Sequence, residues 1–368
     1  MKKSNFVKDK DKFLSVVHVL KINNIGGIEN LVIKLINAQK EYINSCGYII
    51  RYRSDKPTLS MMDFSYSRFK LLPLQYLGYI FHIIKLKPNI IHNHSGGLLI
   101  DLINIVFFRG RLLITHNHGC RNLNYLIYPK RFDFIRKQVA KLLSKFIIRI
   151  SVSNHNLRMT WEYEGRGKYK DFFVPNGISF HADKFHKTYS NNYRIGFVGR
   201  FEKEKRIERI TKVVDAIIRT GEVNNYRIVL AGVGSQLNTI HQYISESGCQ
   251  IDLIKKYSKF ENVFSQIDVL VHTSEYEAFG LTILEGLVTE TPVIISDKLI
   301  IDSRFEDFVT RVDFNSSEQV INSIQRTIGN LESKKEQLKE ALPNLLQEFS
   351  FDKMNNQILD IYRENMNW

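Results

Sequence analysis

The chain has 368 residues, 43% of them apolar and 24% charged, which suits two globular domains of roughly 150–200 residues and excludes disordered and fibrous classes. Its net charge of +14 is one-sided: residues 1–180 carry 29 basic and 11 acidic side chains, and residues 181–368 carry 23 and 27. A basic half of this kind attracts phosphorylated substrates, anionic lipid or nucleic acid, and charge alone does not choose among them.

The basic N-terminus leads into "LSVVHVL" (14–20), which lacks a small-residue cleavage site and is too short for a secretory signal, so it is predicted to be a strand of a cytoplasmic protein. "NNIGGIEN" (23–30) follows and opens a helix over 28–43. Gly26 and Gly27 would let the backbone approach a phosphate or sugar closely, although a Gly-Gly pair is more often only a turn. Further strands are predicted at 47–52, 89–94, 111–116, 146–153 and 171–176. The most apolar window, "GGLLIDLINIVFF" (96–108), carries Asp101 and Asn104 and falls short of the roughly 20 residues needed to span a bilayer. "KRFDFIRKQVAKLLSKFIIR" (130–149) sets Phe132, Ile135, Val139, Leu142, Leu143 and Phe146 at helical spacing between basic residues. Such a helix either lies in a membrane interface or packs its stripe on its own domain. Cys46, Cys120 and Cys249 lack metal-ligand spacing and suit a reducing compartment.

After a polar segment (179–192), the alternation restarts with strands at 193–199, 226–232, 249–254, 267–273 and 291–297. Strands alternating with helices predict an α/β chain of two doubly wound parallel sheets. The boundaries fall at 1–180 and 181–350, with a closing helical segment at 351–368.

In such sheets ligands bind at the carboxyl ends of the strands, and the motifs lie there. "VGRFEKEKR" (198–206) brings Arg200 and Lys205 to the end of the first strand of the second domain, where both can meet a diphosphate. "AGVG" (231–234), with Gly232, closes the next strand, but it makes no full dinucleotide fingerprint. "YEAFGLTILEG" (276–286) places Glu277 in a loop and Glu285 in the helix beginning near Leu281. Eight helical steps would separate the two acids by about 12 Å. That exceeds the roughly 5–10 Å of paired glycosidase carboxylates. It suits the two ends of an extended ligand, with the helix start beside Gly280 facing a negative middle.

"GRFEKEK", "AGVG", "SEYEAFGLTILEG" and "TPVIISD", in this order, resemble the C-terminal domain of retaining GT-B glycosyltransferases of family 4, and "SEYEAFGLTILE" resembles that family's E-x7-E signature. "IGGIEN", "IIHNHSGG", "LITHNHG", "SVSNHN" and "VPNGIS" extend the resemblance over nearly the whole chain. It implies two Rossmann-like domains facing each other across a cleft. The first would bind the acceptor and the second the nucleotide-sugar, with the last helix crossing back to the first. The resemblance implies donor binding by Gly26, Gly27, Arg200, Lys205, Gly232, Glu277, Phe279, Gly280, Leu281 and Glu285. Catalysis would involve Glu277, Arg200, Lys205 and His118, with His116 the competing histidine. It further implies a UDP-sugar donor, no metal and no cofactor. The acceptor would be a lipid-linked or oligosaccharide glycan of bacterial surface polysaccharide, met at the anionic inner leaflet of the membrane, with no nucleic acid as partner. Two positions depart from the family's usual glycine, Arg206 and Glu290. A nucleotide-sugar epimerase of the same fold, or a binding module for anionic membranes or nucleic acid, is the alternative.

Overall fold

The structure, a computed structural model, describes residues 14–22, 26–52, 64–66, 72–119, 133–164, 171–257 and 259–366. Residues 23–25, Cys120 and 130–132, named above, lie outside the described residues. The chain divides into two compact units, one built from the chain up to Asn176 with the segment from Asp352 onward, the other from Gly177–Phe351.

The first unit runs β1 (Ser15–Ile22), α1 (Gly27–Gln39), β2 (Asn44–Tyr52), β3 (Phe64–Tyr66), α2 (Leu72–Leu86), β4 (Ile90–Asn93), α3 (Leu98–Phe108), β5 (Leu112–Asn117), α4 (Asp133–Leu143), β6 (Ile148–Ser151), α5 (Asn154–Glu164) and β7 (Asp171–Phe173). The sheet is parallel in the order β3-β2-β1-β4-β5-β6-β7. Its central strands are buried on both faces because helices cover both. Alternation along the strands sends Val17, Val19, Ile91 and Leu113 toward Tyr79, Ile83, Ile100 and Leu143 of α2, α3 and α4. The opposite face packs Leu20 and Ile49 on Val32 and Ile36 of α1. Beyond β5, Arg149 is 2% exposed and forms a double contact with Asp171, Nε to Oδ1 at 2.7 Å and Nη2 to Oδ2 at 2.8 Å.

The second unit runs β8 (Tyr193–Val198), α6 (Arg209–Arg219), β9 (Tyr226–Ala231), α7 (Leu237–Glu246), β10 (Gln250–Ile254), α8 (Glu261–Phe264), β11 (Val269–His272), α9 (Leu281–Val288), β12 (Val293–Ser296), β13 (Val309–Val312), α10 (Ser317–Gly329) and α11 (Leu331–Glu348). Its parallel sheet has the order β10-β9-β8-β11-β12-β13. One face is a core of Ile195, Phe197, Ile228, Leu230, Val269 and Val271 against α6, α7 and α10. On the other, Val229 and Ala231 meet Val263 and Ile267. The polar segment before β8 is fastened to this unit: Lys187 Nζ donates to the carbonyls of Phe264 at 2.8 Å and Ile267 at 2.6 Å. The closing helix α12 (Phe351–Asn365) lies with the first unit from Asp352 on, where the Tyr362 hydroxyl meets His92 Nδ1 at 2.5 Å.

Every predicted strand forms. Two short edge strands, β3 and β13, were not foreseen, and β2 starts three residues earlier than predicted, at Asn44. The first helix ends at Gln39, earlier than its periodic pattern, which extends to Ile43.

Candidate active site

In the second unit the ends of β8 and β11 and the start of α9 converge on a pocket lined by Gly199, Arg200, Lys205, His272, Thr273 and Thr282. Lys205 closes a 3-10 turn, Lys203–Lys205, and its Nζ donates to Glu277 Oε1 at 2.5 Å. The last residue of β11, His272, places Nε2 3.0 Å from the same oxygen. Burial by itself would raise the Glu277 carboxyl. The charge of Lys205 and the hydrogen bond from His272 outweigh it and hold the group well below the usual carboxylate range. Glu277 is therefore an anion at neutral pH, held between two donors.

The loop carrying it is anchored from beneath. Buried Arg209 donates to the Thr273 carbonyl at 2.9 Å and pairs with Glu275. The Thr273 hydroxyl donates to the Lys205 carbonyl at 2.8 Å. Gly280 then caps α9 at φ +89°, where a side chain would be strained. The first helical bonds run from Ile283 and Leu284 to the Gly280 carbonyl, so the Leu281 and Thr282 amides have no partner within the helix. Phe279 is buried against Phe305 and Phe349, so its backbone, not its ring, borders the helix start. Glu285 follows one turn into α9. The Tyr257 hydroxyl is raised to about 12 by burial and by the charge of Glu285, which puts the two near each other.

Arg200 is 53% exposed and 3.7 Å from Glu204, so among the described residues its guanidinium is held by a surface pair. Of its neighbours in "RFEKEK", Glu202 accepts from the Ser235 amide at 3.0 Å and its hydroxyl at 2.6 Å, tying this loop to the "AGVG" turn. Gly232 sits at φ +135°, and a Cβ there would lie 1.9 Å from the Gly199 carbonyl oxygen, so its visible role is close packing of two strand ends. Arg206 and Glu290, which stand where the resemblance would have glycine, are both left-handed, each at φ +53°.

The first unit offers a different strand-end surface. His18, His92 and His116 share the α1 face of neighbouring strands, and His94 and His118 follow β4 and β5. The rings stack in a chain, His116 on His118 with centroids 4.0 Å apart. His94 joins His18 and His118, with nitrogen separations of 2.9 Å on each side. Burial lowers His18 and His118 to about 4 and the other three well below the usual range, so all are neutral at pH 7. Among the described residues, both nitrogens of His116 and Nδ1 of His118 have no hydrogen-bond partner. His18, His92 and His94, or His94, His116 and His118, each bring three ligand atoms within 4.8 Å of one another. Three neutral imidazoles are a ligand set that zinc accepts, but occupation would break one of the two bonds that His94 makes. Gly26 and Gly27 begin α1. The Gly26 amide donates to Glu29 Oε2 at 2.9 Å, and neither glycine has a positive φ, so no left-handed turn requires them.

The structure thus gathers Arg200, Lys205, Glu277, Gly280, Leu281 and Glu285 around the strand ends and helix start of one unit, and His116 and His118 in the other. His272 and the Arg209–Glu275 pair were not foreseen. The signal for His272 was its place as the last residue of a strand, five positions before Glu277.

Residues 180–344 match the family model described as "Glycosyl transferases group 1". The matched segment covers most of the second unit, Gly177–Phe351. Over 79% of the chain and 80% of the relative, the sequence is 24% identical to the Staphylococcus aureus capsular polysaccharide biosynthesis glycosyltransferase CapM. It is 21% identical to the O-antigen chain mannosyltransferase RfbU of Salmonella typhimurium, over 74% of the chain and 79% of the relative. Among solved structures, HepE of Anabaena in complex with UDP and glucose matches with a TM-score of 0.75 at 16% identity, over 95% of this chain and all of that one. WaaG, a glycosyltransferase involved in lipopolysaccharide biosynthesis, matches at 0.70 and 11% identity, over 93% and 99%. The fold is that of GT-B glycosyltransferases, and the matched segment contains the whole acid and cation cluster.

Proposed function

We propose that this glycosyltransferase moves a sugar from a nucleotide-sugar, a UDP-sugar in the first instance, to a lipid-linked or oligosaccharide acceptor in bacterial surface-polysaccharide assembly. The observation that carries the reading is the Lys205–Glu277–His272 cluster beside the start of α9, with Arg200 exposed at its edge and Glu285 one turn away. The capsule and O-antigen roles in the names of the sequence relatives support the acceptor class, and the UDP complex of HepE supports the donor class.

In this reading Glu285 takes the ribose hydroxyls, Arg200, Lys205 and the amides of Leu281 and Thr282 take the diphosphate, and Glu277 takes hydroxyls of the transferred sugar. As the sugar–phosphate bond breaks, negative charge grows on the leaving diphosphate, and preorganised cations and amides stabilise it without reorganising. Lys205 serves both ends: paired with Glu277 beforehand, it stands ready beside the phosphate. We further propose retention of configuration without a metal, His118 at the sugar, Gly26 and Gly27 near the donor, and work at the anionic inner leaflet.

The test is a thermal-shift panel of UDP, GDP, ADP, CDP and their sugars on the wild type, Arg200→Ala and Glu285→Ala. Stabilisation by one nucleotide family, lost in both variants, is expected. No stabilisation by any nucleotide at millimolar concentration, with tight binding to anionic vesicles or nucleic acid instead, would overturn the transfer reading.

A further inference from the structure

The layer of helices on one face of the first sheet is apolar on both its sides. Inward, α2, α3 and α4 bury Tyr79, Ile83, Ile100, Phe108 and Leu143. Outward, α2 presents Leu77, Phe81 and Ile84, with Phe81 69% exposed. Next to it α3 presents Leu102, Val106 and Phe107, with Val106 63% exposed, and α4 presents Phe134, Ile135 and Leu142. Among the described residues, these three helices hold twelve of the nineteen exposed large apolar side chains. On α2 and α3 the outward residues form a second stripe opposite the one that packs on the sheet, and on α4 they are the outer edge of its single apolar stripe. A helix apolar all round belongs in a core or in lipid, and a patch drawn from three adjacent helices is larger than scattered surface residues explain.

Charge decides what covers it. Lys85, Lys87, Arg109, Lys141 and Lys145 are exposed on or directly after the same helices. The helices contain two acids, Asp101, which is buried under Asn93 and Thr115, and Asp133 at the start of α4. A second copy of the chain docked on this face would bring like charges together, whereas an anionic bilayer pairs every one of them while taking the apolar tips below its headgroups. No helix among the described residues is long and apolar enough to cross a membrane, so such contact is made from one side.

We propose that the outer faces of α2, α3 and α4 form one docking surface for an anionic lipid bilayer, with Phe81, Val106, Phe107 and Ile135 inserted and the lysines and Arg109 at the headgroups. The sequence pattern marked 130–149 alone as interfacial. In the structure α4 supplies one of three rows, and Leu143 of its stripe turns inward. This inference deepens the proposed function, since a lipid-linked acceptor is reached from that surface, but its test uses no donor or acceptor and is therefore read independently of transfer.

The experiment is flotation of the full chain with vesicles of phosphatidylglycerol mixed with phosphatidylcholine, against phosphatidylcholine alone. Phe81→Ser with Val106→Ser, and separately Lys85→Glu with Lys141→Glu, are compared with a control pair on the second unit, Tyr189→Ser with Ile218→Ser. Far-ultraviolet circular dichroism and urea unfolding confirm that each variant folds. Binding to the anionic vesicles is expected, weakened at least about tenfold by either first-unit pair and unchanged in the control. Equal binding by all variants would overturn the proposal. So would absence of vesicle binding together with a concentration-dependent dimer that Phe81→Ser with Val106→Ser dissolves.

Discussion

The two units end their strands in opposite chemistries. In mid-β1 and at the ends of β4 and β5 five imidazoles stack, four of them buried and all neutral at pH 7, and the His116 ring makes no hydrogen bond among the described residues. At the ends of β8 and β11 a carboxylate, a lysine and a buried arginine are ionised and paired. The same backbone topology therefore supplies an uncharged, polarisable wall in one unit and a fixed arrangement of full charges in the other. Only the second can hold a diphosphate by charge, and the first weakens as pH falls from about 6.5 toward 4.

The largest expected effect breaks the symmetry by acid. His18 and His118, at about 4 in the fold against about 6.5 in an unfolded chain, bind protons in the unfolded state first. Their contribution is complete above pH about 6.5 and is lost as pH falls toward 4, about 3 kcal/mol for each. Glu277 is depressed, so what it contributes is retained down to its unfolded value and lost only below it. Acidification should therefore loosen the first unit ahead of the site in the second. Urea titrations at successive pH values, with hydrogen exchange reporting peptides of each unit, check this; His18→Gln should flatten the acid limb of the first unit alone.

Next in size is Glu277→Gln. It keeps the shape of the site and removes the charge that orders Lys205 and His272, and a loss of about 100-fold or more in kcat/KM is expected. Initial rates with a matched donor and acceptor read it, and the urea midpoint separates it from unfolding. Gly280→Ala is expected to cost about 1–2 kcal/mol from the left-handed backbone alone, read as a lower urea midpoint. Smallest is Glu290→Gly, which relieves a left-handed residue remote from the strand-end pocket and should stabilise by about 0.5–1 kcal/mol, seen as a raised midpoint with unchanged nucleotide binding.

These effects also mark what the sequence made legible. Runs such as "YRIGFVG" and "YRIVLAG" announce buried parallel strands because both faces are apolar, whereas β3 and β13 are short edge strands without that signature. Glu277, Gly280 and Glu285 were legible because one loop and one helix hold them in a short span. The Lys205–Glu277 pair joins residues 72 positions apart, and the histidine cluster is assembled from three strands by sheet order, which no local spacing reveals. The open faces of α2 and α3 were hidden for the opposite reason: an evenly apolar helix reads as core. The two missing glycines were visible as substitutions, and only the backbone shows that both stand where glycine would relax it.

The central claim, that fixed charges of the second unit hold the donor's diphosphate, is tested most directly by calorimetric titration of UDP into the wild type, Lys205→Met and His118→Gln. UDP lacks the transferred sugar, so the histidine wall should not affect its binding. Binding weakened at least about tenfold in Lys205→Met and unchanged in His118→Gln is the expected result. Equal affinity in the wild type and Lys205→Met, with binding lost in His118→Gln, would contradict it.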